Sequence, residues 1–403
     1  MAKKNNLGAY NIEDLRLMAK KKLPRGIFGF IDGGAEDHIG VQNNRDAYTQ
    51  LKIKNRVLID VSKRSTKTTV FGKEIAMPYG ISPTGSAGIA WYGGEIGLAQ
   101  AAKKMNVPCT VALNALTSME DIWEQGGGNL WFQLYMWADK EMSKKFMDKV
   151  KAVGFETLIV TVDGPVHSNR EYNKKNGFSM PLKYSPTMIA QLLAKPGWLI
   201  RVLGQHYLRQ GTPKKENYPP ELARKITDKE TADKHVKSDT QNWDDIQFIR
   251  DMWPGNMMIK GLQSAEDAVL AKERGLDGVV MSNHGGRYVD CAPAPLQVLA
   301  ETRAAVGDDF TVIIDSGARR GSDLVKAIAC GADMVMSGRP TLFGTAAAGM
   351  PGAYRALEIF HTEMDRVMAQ LGLNSIDEIG PEIFWNPPEW VPKPKPALKA
   401  AAE

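Results

Sequence analysis

The sequence predicts an α/β chain closed as a (β/α)8 TIM barrel, with N-terminal capping helices and a long insertion after strand 4. Three observations lead there. Eight short apolar runs recur, at 77–81, 108–112, 130–134, 157–162, 257–259, 278–281, 311–314 and 334–336. Helix-forming stretches separate several of them: Ser143 to Val150 is one, and Ser264 followed by Glu266 and Asp267 is an N-cap with an acidic first turn. Polar residues cluster just past the later runs, the end at which parallel barrels build their active sites. Eight strands alternating with helices is the count that closes a barrel. A doubly wound open sheet is the alternative that the count alone leaves standing.

Residues 1–60 read as a helical cap, 61–370 as the barrel and 371–403 as a C-terminal tail. From Trp385 the tail is rich in proline, lysine and alanine, the composition of an extended or disordered segment. Residues 177–245 interrupt the strand–helix alternation. Their first half, around Met188, Leu192, Trp198 and Arg201, mixes leucines, tryptophan and bases. That suits a segment lying in a membrane interface, or a lid packed on its own protein or a neighbouring subunit.

Composition excludes several classes. With 43% hydrophobic and 24% charged residues, the chain is a folded globular protein rather than a disordered one. A net charge of +5 is too mild to argue for nucleic acid, and no nucleic-acid-binding motif accompanies it. Cys109, Cys291 and Cys330 are far apart and lack metal-ligand spacing, which suits a reducing cytoplasm. The lysines after Met1 precede no apolar stretch, which argues against a secretory signal, and no apolar run reaches transmembrane length. The expected location is cytoplasmic, with peripheral contact on the inner face of a membrane if the insertion binds one.

The chemistry concentrates at the ends of the runs. Ser282-Asn283-His284-Gly285-Gly286-Arg287 follows the run 278–281. The arginine suits a two-pronged grip on a carboxylate, the histidine takes a proton near neutral pH, and the glycines let the backbone turn close to a ligand. Gln133 and Tyr135 share one face of their strand, as do Thr161 and Asp163. Asp163 is a candidate partner for His284, orienting the ring and stabilising its protonated form; a helix cap is the plainer reading. Lys260 closes an apolar strand, where a lysine forms a Schiff base, stabilises an anionic cofactor or reaches solvent. After the last two runs come Asp315, Gly317 and Arg319, then Gly338 and Arg339. Glycine N–H groups and a helix N-terminus in these two loops commonly bind phosphate, and the arginines add charge-assisted bonds.

These residues together resemble the FMN-dependent 2-hydroxy-acid oxidising enzymes, a family of oxidases and membrane-associated dehydrogenases. The resemblance runs from about Asn11 to Gln370 and rests on Leu23-Pro24, Gly34-Ala35-Glu36-Asp37, Ser82-Pro83-Thr84-Gly85, Phe132-Gln133-Leu134-Tyr135, Ser282 through Arg287 and Asp315 through Gly321. Asp290-Cys291-Ala292 and the place of the insertion point to its mandelate-oxidising branch. The resemblance implies FMN as cofactor. It implies that His284 takes the substrate hydroxyl proton while the C2 hydrogen passes to the flavin, as hydride or by way of a carbanion. Asp163 would steady the imidazolium, Arg287 and Arg170 clamp the carboxylate, and Tyr135 bond a substrate oxygen. Pro83, Thr84, Gly85, Gln133, Thr161, Lys260 and Ser282 match flavin-contacting positions. Asp315 matches the ribityl contact, and Gly317, Arg319, Gly338 and Arg339 the phosphate site. A homotetramer is also implied.

Two departures bear on the substrate. Phe30 stands where the family usually has a substrate-binding tyrosine, and Ala112 where a serine or threonine usually contacts the flavin. Losing the hydroxyl at Phe30 removes a hydrogen bond worth roughly 0.5–3 kcal/mol and makes the pocket more apolar. A bulky or aromatic (S)-2-hydroxy acid fits that better than glycolate or lactate. Gly85, where oxidases of the family often carry alanine, favours a dehydrogenase passing electrons to a quinone or carrier protein. The alternatives are an oxidase using O2 and releasing H2O2, and a flavin-binding homologue with altered or lost catalysis.

Overall fold

The computed structural model describes residues 7–179, 181–220, 222–228 and 239–393. The lysines read against a secretory signal, part of the insertion and the tail beyond residue 393 lie outside the described residues. Three helices come first. α1 (Ile12–Lys22) opens with a capping box: the Asn11 side chain accepts from the Asp14 N–H, and the Asp14 carboxylate accepts from the Asn11 N–H. It buries Ile12, Leu15 and Ala19, the stripe expected of an amphipathic helix. α2 (Arg25–Asp32) and α3 (Ile39–Gln50) follow and lie over the C-terminal mouth of the barrel, with the Gly33 carbonyl and the Gly40 backbone against the loop around Gly286.

An antiparallel hairpin, β1 (Thr68–Val70) and β2 (Lys73–Ile75), precedes the barrel. Each of these strands has three residues and buries only one, so neither forms an apolar run that the sequence could show. The barrel itself is β3 (Tyr79–Ile81), β4 (Cys109–Ala112), β5 (Leu130–Leu134), β6 (Thr157–Thr161), β7 (Asn256–Leu262), β8 (Gly278–Met281), β9 (Thr311–Ile314) and β10 (Met334–Ser337). All pairings are parallel, and β10 closes the ring by bonding to both β9 and β3. The eight predicted runs are the eight strands, and closure discards the open-sheet alternative. Several ends shift by one or two residues, and one shift, at β7, matters for the site. β7 continues through Leu262, so Lys260 stands inside a strand rather than at its end. Its register shifts between Lys260 and Leu262, where Gly261 adopts φ +114; a Cβ there would lie 2.4 Å from the Cβ of Asp163.

The filling of the barrel positions the site. Trp131, Ile159, Met258, Val280, Ile313, Met334 and Met336 form one apolar cluster with Val70 and Ile75 of the hairpin. Phe71 at the hairpin tip packs on Trp131, centroids 5.8 Å apart, so the hairpin plugs the N-terminal mouth. Strand side chains alternate, and the next inward position is two residues on: Gln133, Thr161, Lys260, Ser282 and Asp315. All five are buried. An apolar plug below and a polar floor above thus follow from one period-two rule.

The insertion folds as short helices beside this mouth. Ser185 caps the helix Pro186–Leu193 by accepting from the Met188 N–H, with proline at the first turn. Met188, Leu192, Trp198, Val202 and His206 are buried, and two of them anchor the segment: Trp198 Nε1 donates to the Ile89 carbonyl at 2.9 Å, and His206 Nε2 lies 3.1 Å from the Gly88 carbonyl. At the other end of the chain, residues 385–393 of the segment expected to be extended or disordered form no helix or strand but are held to the protein. Trp385 N–H donates to the Lys52 carbonyl at 2.9 Å, and Val391 is buried against the core. One backbone bond and the buried Val391, with Trp390 packed on the same core, fasten the segment in spite of its composition.

Candidate active site

The loop after β8 carries the first functional group. His284, Gly285 and Gly286 all adopt positive φ, at 54°, 68° and 73°. Gly286 is required there, because a Cβ would lie 2.5 Å from the Val41 backbone nitrogen of α3. The His284 N–H donates to Ser282 Oγ, 3.0 Å, and His284 Nδ1 pairs with Asp163 Oδ1 at 2.9 Å. With Nδ1 donating, Nε2 is left as the nitrogen that can take a proton. Burial lowers the pKa of the ring; Asp163 opposes this, Lys260 and Arg287 add to it, and the net value lies below that of an ordinary histidine. Asp163 is pushed upward by burial, but His284 and Lys260 outweigh this and hold its carboxyl below the usual range. The result is a neutral base beside a fixed carboxylate.

Lys260 joins the floor to this pair. Its Nζ donates to Ser282 Oγ at 2.7 Å and to Asp315 Oδ2 at 3.0 Å. Burial disfavours the ammonium, yet Asp315 and Asp163 overcome that and raise its pKa. Lys260 is therefore a permanent buried cation, and a Schiff-base role, which needs a neutral amine, does not suit it.

Three arginines surround the cavity above the floor. Arg287 Nη1 donates to the carbonyls of Phe30, 2.8 Å, and Gly33, 3.2 Å, and its guanidinium lies over the Phe30 ring at 5.1 Å. Arg339 donates to the carbonyls of Ile31, Gly285 and Gly33. Both arginines thereby tie the C-terminal carbonyls of α2 to the histidine loop. Arg170, from the loop after β6, bonds Ser168 through Nε at 2.9 Å. Burial lowers the pKa of Arg287, and Arg170 and Arg339 add to it. Crowded cations of this kind call for an anion.

The cavity measures about 440 Å³. Phe30, Pro83, Thr84, Gly85, Ala112, Gln133, Tyr135, Thr161, Arg170, Lys260, His284, Arg287, Asp315, Gly317, Arg319, Gly338 and Arg339 all line it, so the structure brings the predicted residues to one place. Two stand behind the wall: Asp163 holds the histidine, and Ser282 bridges Lys260 to the His284 backbone.

A family model described as FMN-dependent dehydrogenase matches residues 19–386. The chain belongs to the FMN-dependent dehydrogenase family. It is 38% identical to (S)-mandelate dehydrogenase of Pseudomonas putida over 377 residues, 94% of either chain. It is 34% identical to 2-hydroxyacid oxidase 2 of Mus musculus, covering 93% of this chain and 97% of that one. A crystal structure of the monotopic membrane protein (S)-mandelate dehydrogenase superposes with a TM-score of 0.88, 94% of this chain covering 100% of that one. The chain is thus an FMN-dependent 2-hydroxy-acid dehydrogenase or oxidase.

The residues present fit FMN. Gln133 Nε2, Thr161 Oγ1 and Thr110 Oγ1 are buried without a hydrogen-bond partner among the described residues, and the first two lie at the cavity floor. Buried polar atoms of this kind need a polar ligand. At the far side Gly317 and Gly338 leave backbone exposed beside Arg319, and Gly338 caps the helix Arg339–Ala348. Burial, with Arg339 and Arg45, pushes Arg319 down to about 9, again the mark of a cation awaiting an anion. Arg319 is the freer of the two phosphate candidates, since Arg339 already serves three carbonyls.

Sequence reading misses two contributions. Tyr288, next to Arg287, lines the cavity, and Lys215, Tyr218 and Lys225 of the insertion line its mouth. Tyr288 was legible as the neighbour of a clamp arginine. The insertion residues carry no motif.

Proposed function

We propose that this protein oxidises an (S)-2-hydroxy acid with an aromatic or bulky side chain to the 2-oxo acid and passes the electrons to a quinone or carrier protein. The observation that carries this reading is the partly buried His284–Asp163 pair facing the Arg170 and Arg287 guanidiniums across one cavity. Arg170 and Arg287 hold the substrate carboxylate, and Tyr135 bonds a substrate oxygen. His284 Nε2 takes the hydroxyl proton, and Asp163 stabilises the imidazolium so formed. FMN, when bound on the polar floor, supplies the two-electron acceptor for the C2 hydrogen. Lys260 would contribute a fixed positive charge there, Gln133 and Thr161 would orient the ring system with Ser282 fixing Lys260 behind them, Asp315 would hold the sugar alcohol, and Gly317, Arg319, Gly338 and Arg339 the phosphate end. Phe30, packed on Phe178 at 4.9 Å, gives the pocket an apolar side in place of a hydroxyl. Similarity to (S)-mandelate dehydrogenase supports the aromatic preference.

Anaerobic mixing with (S)-mandelate, (S)-lactate and glycolate tests this directly. Mandelate should bleach the flavin band fastest; no bleaching of yellow protein by any of the three would sink the enzyme reading. The oxidase reading is favoured by the relatives named as oxidases. Steady H2O2 release with no added acceptor would select it. Against it, Gly85 has little room for a larger residue: a Cβ would lie 3.0 Å from Asn114 Cβ.

The insertion supports peripheral membrane contact. Leu193, Ile200 and Leu208 are 68%, 69% and 82% exposed, while Lys195, Arg201 and Arg209 are interspersed among them. No helix among the described residues is long and apolar enough to cross a membrane. The protein should sediment with anionic phospholipid vesicles, and Ile200→Glu with Leu208→Glu should leave it in the supernatant. Equal sedimentation of both forms would refute contact through this face.

A further inference from the structure

Tyr288 lines the cavity and is packed from three sides. Its ring stands edge-on to the His284 imidazole, with centroids 4.9 Å apart and planes at 79°. The Arg170 guanidinium lies over it, 5.7 Å from the centroid. Its hydroxyl rests against Gly164, where a Cβ would come within 2.5 Å of the phenol oxygen. Glycine after Asp163 is therefore what leaves the ring room. Tyr288 thus spans from the loop after β8 to the loop after β6 and touches both carriers of the His284–Asp163 pair.

Two pairings of ring and guanidinium border this cavity. Arg287 lies over Phe30, and Arg170 over Tyr288. Phe30 leans on Phe178 within the protein, whereas Tyr288 leans on the base itself. What remains of the Tyr288 surface lines the cavity with Tyr135 and Arg287.

Tetrahedral geometry decides what meets that surface. Carbon 2 of a 2-hydroxy acid carries four groups. The carboxylate goes to the arginines, the hydroxyl to His284 Nε2, and the hydrogen toward the floor. The fourth group, the side chain, is turned away from the floor, toward the rim where Tyr288 stands.

We infer that Tyr288 is a specificity-determining residue whose ring is the wall for the substrate side chain, favouring an aryl over a short alkyl group. The inference rests on the reading of this cavity as a 2-hydroxy-acid site. Offset or edge packing of two aromatic rings is worth a factor of roughly 2 to 12. No hydrogen bond among the described residues engages the Tyr288 hydroxyl, so the ring rather than the oxygen carries the effect.

The test compares the FMN-loaded wild type with Tyr288→Phe, Tyr288→Leu and Tyr288→Gln. Two ratios are measured: kcat/KM for (S)-mandelate over (S)-lactate, and calorimetric affinity for benzoylformate over pyruvate. Tyr288→Phe should keep both ratios. Tyr288→Leu and Tyr288→Gln should lower both by roughly 2- to 12-fold, mainly through KM. A ring that merely packs against His284 would slow both acids by the same factor and leave both ratios unchanged, which would overturn the inference. A wild type that binds the oxo acids but oxidises neither hydroxy acid would fail the parent reading alone, and the affinity ratio would still judge the wall.

Discussion

His284→Asn should give a yellow, FMN-loaded protein whose flavin is reduced by substrate about 10²–10⁴-fold more slowly than the wild type. Asparagine keeps a polar side chain in the loop but has no nitrogen able to accept a proton, so the substrate hydroxyl must ionise unaided. Flavin loading should survive because the floor residues Gln133, Thr161 and Lys260 come from other strands. Anaerobic stopped-flow reduction is the measurement, and near-normal bleaching would remove His284 as the base. The pH profile supplies a second check with a defined sign. The reaction needs the neutral ring, and burial, opposed by Asp163, holds the His284 pKa below its ordinary value. The rate should therefore stay high as pH falls through the ordinary histidine range, and decline only at lower pH. Asp163→Asn removes the group that raises this pKa. It should move the acid limb lower still while depressing the plateau, because the imidazolium formed in the reaction loses its counter-charge.

The eight strands were legible because each is almost wholly buried on both faces and so reads as an apolar run, and polar residues two steps further on marked the floor. The hairpin was not legible: Thr68–Val70 and Lys73–Ile75 bury one residue each and make no apolar run, although Phe71-Gly72, both at positive φ, is a hairpin turn. The end of β7 was misjudged because Lys260 is a charge, and a buried charge inside a strand is rare unless paired; Asp315 and Ser282 lie 55 and 22 residues further along the chain, and their proximity is a property of barrel closure. The pairing of His284 with Asp163 likewise joins β8 to β6 across 121 residues. Spacing cannot show it, whereas strand-end position suggested it. The three carbonyls that hold Arg339 escaped notice for another reason: backbone acceptors leave no sequence signal, so an arginine next to a phosphate loop reads only as a phosphate ligand.

Arg287→Met carries the second large effect, on substrate binding. In the proposed clamp a carboxylate between Arg170 and Arg287 would make charge-assisted bonds, and truncating one partner of such a pair costs about 2–5 kcal/mol, roughly 30- to 5000-fold in kcat/KM. The loss has two parts. The carboxylate loses one of its two cations, and the Phe30 carbonyl loses the Nη1 donor that fixes the end of α2. The Gly33 carbonyl keeps Arg339, so the helix should stay docked. Arg287→Lys separates charge from geometry: it restores a cation without the planar fork, and should fall between methionine and wild type. Titration of oxidised protein with benzoylformate reads the binding part without turnover. An affinity unchanged in Arg287→Met would mean that Arg170 alone holds the carboxylate and that Arg287 serves only to fasten α2 over the site.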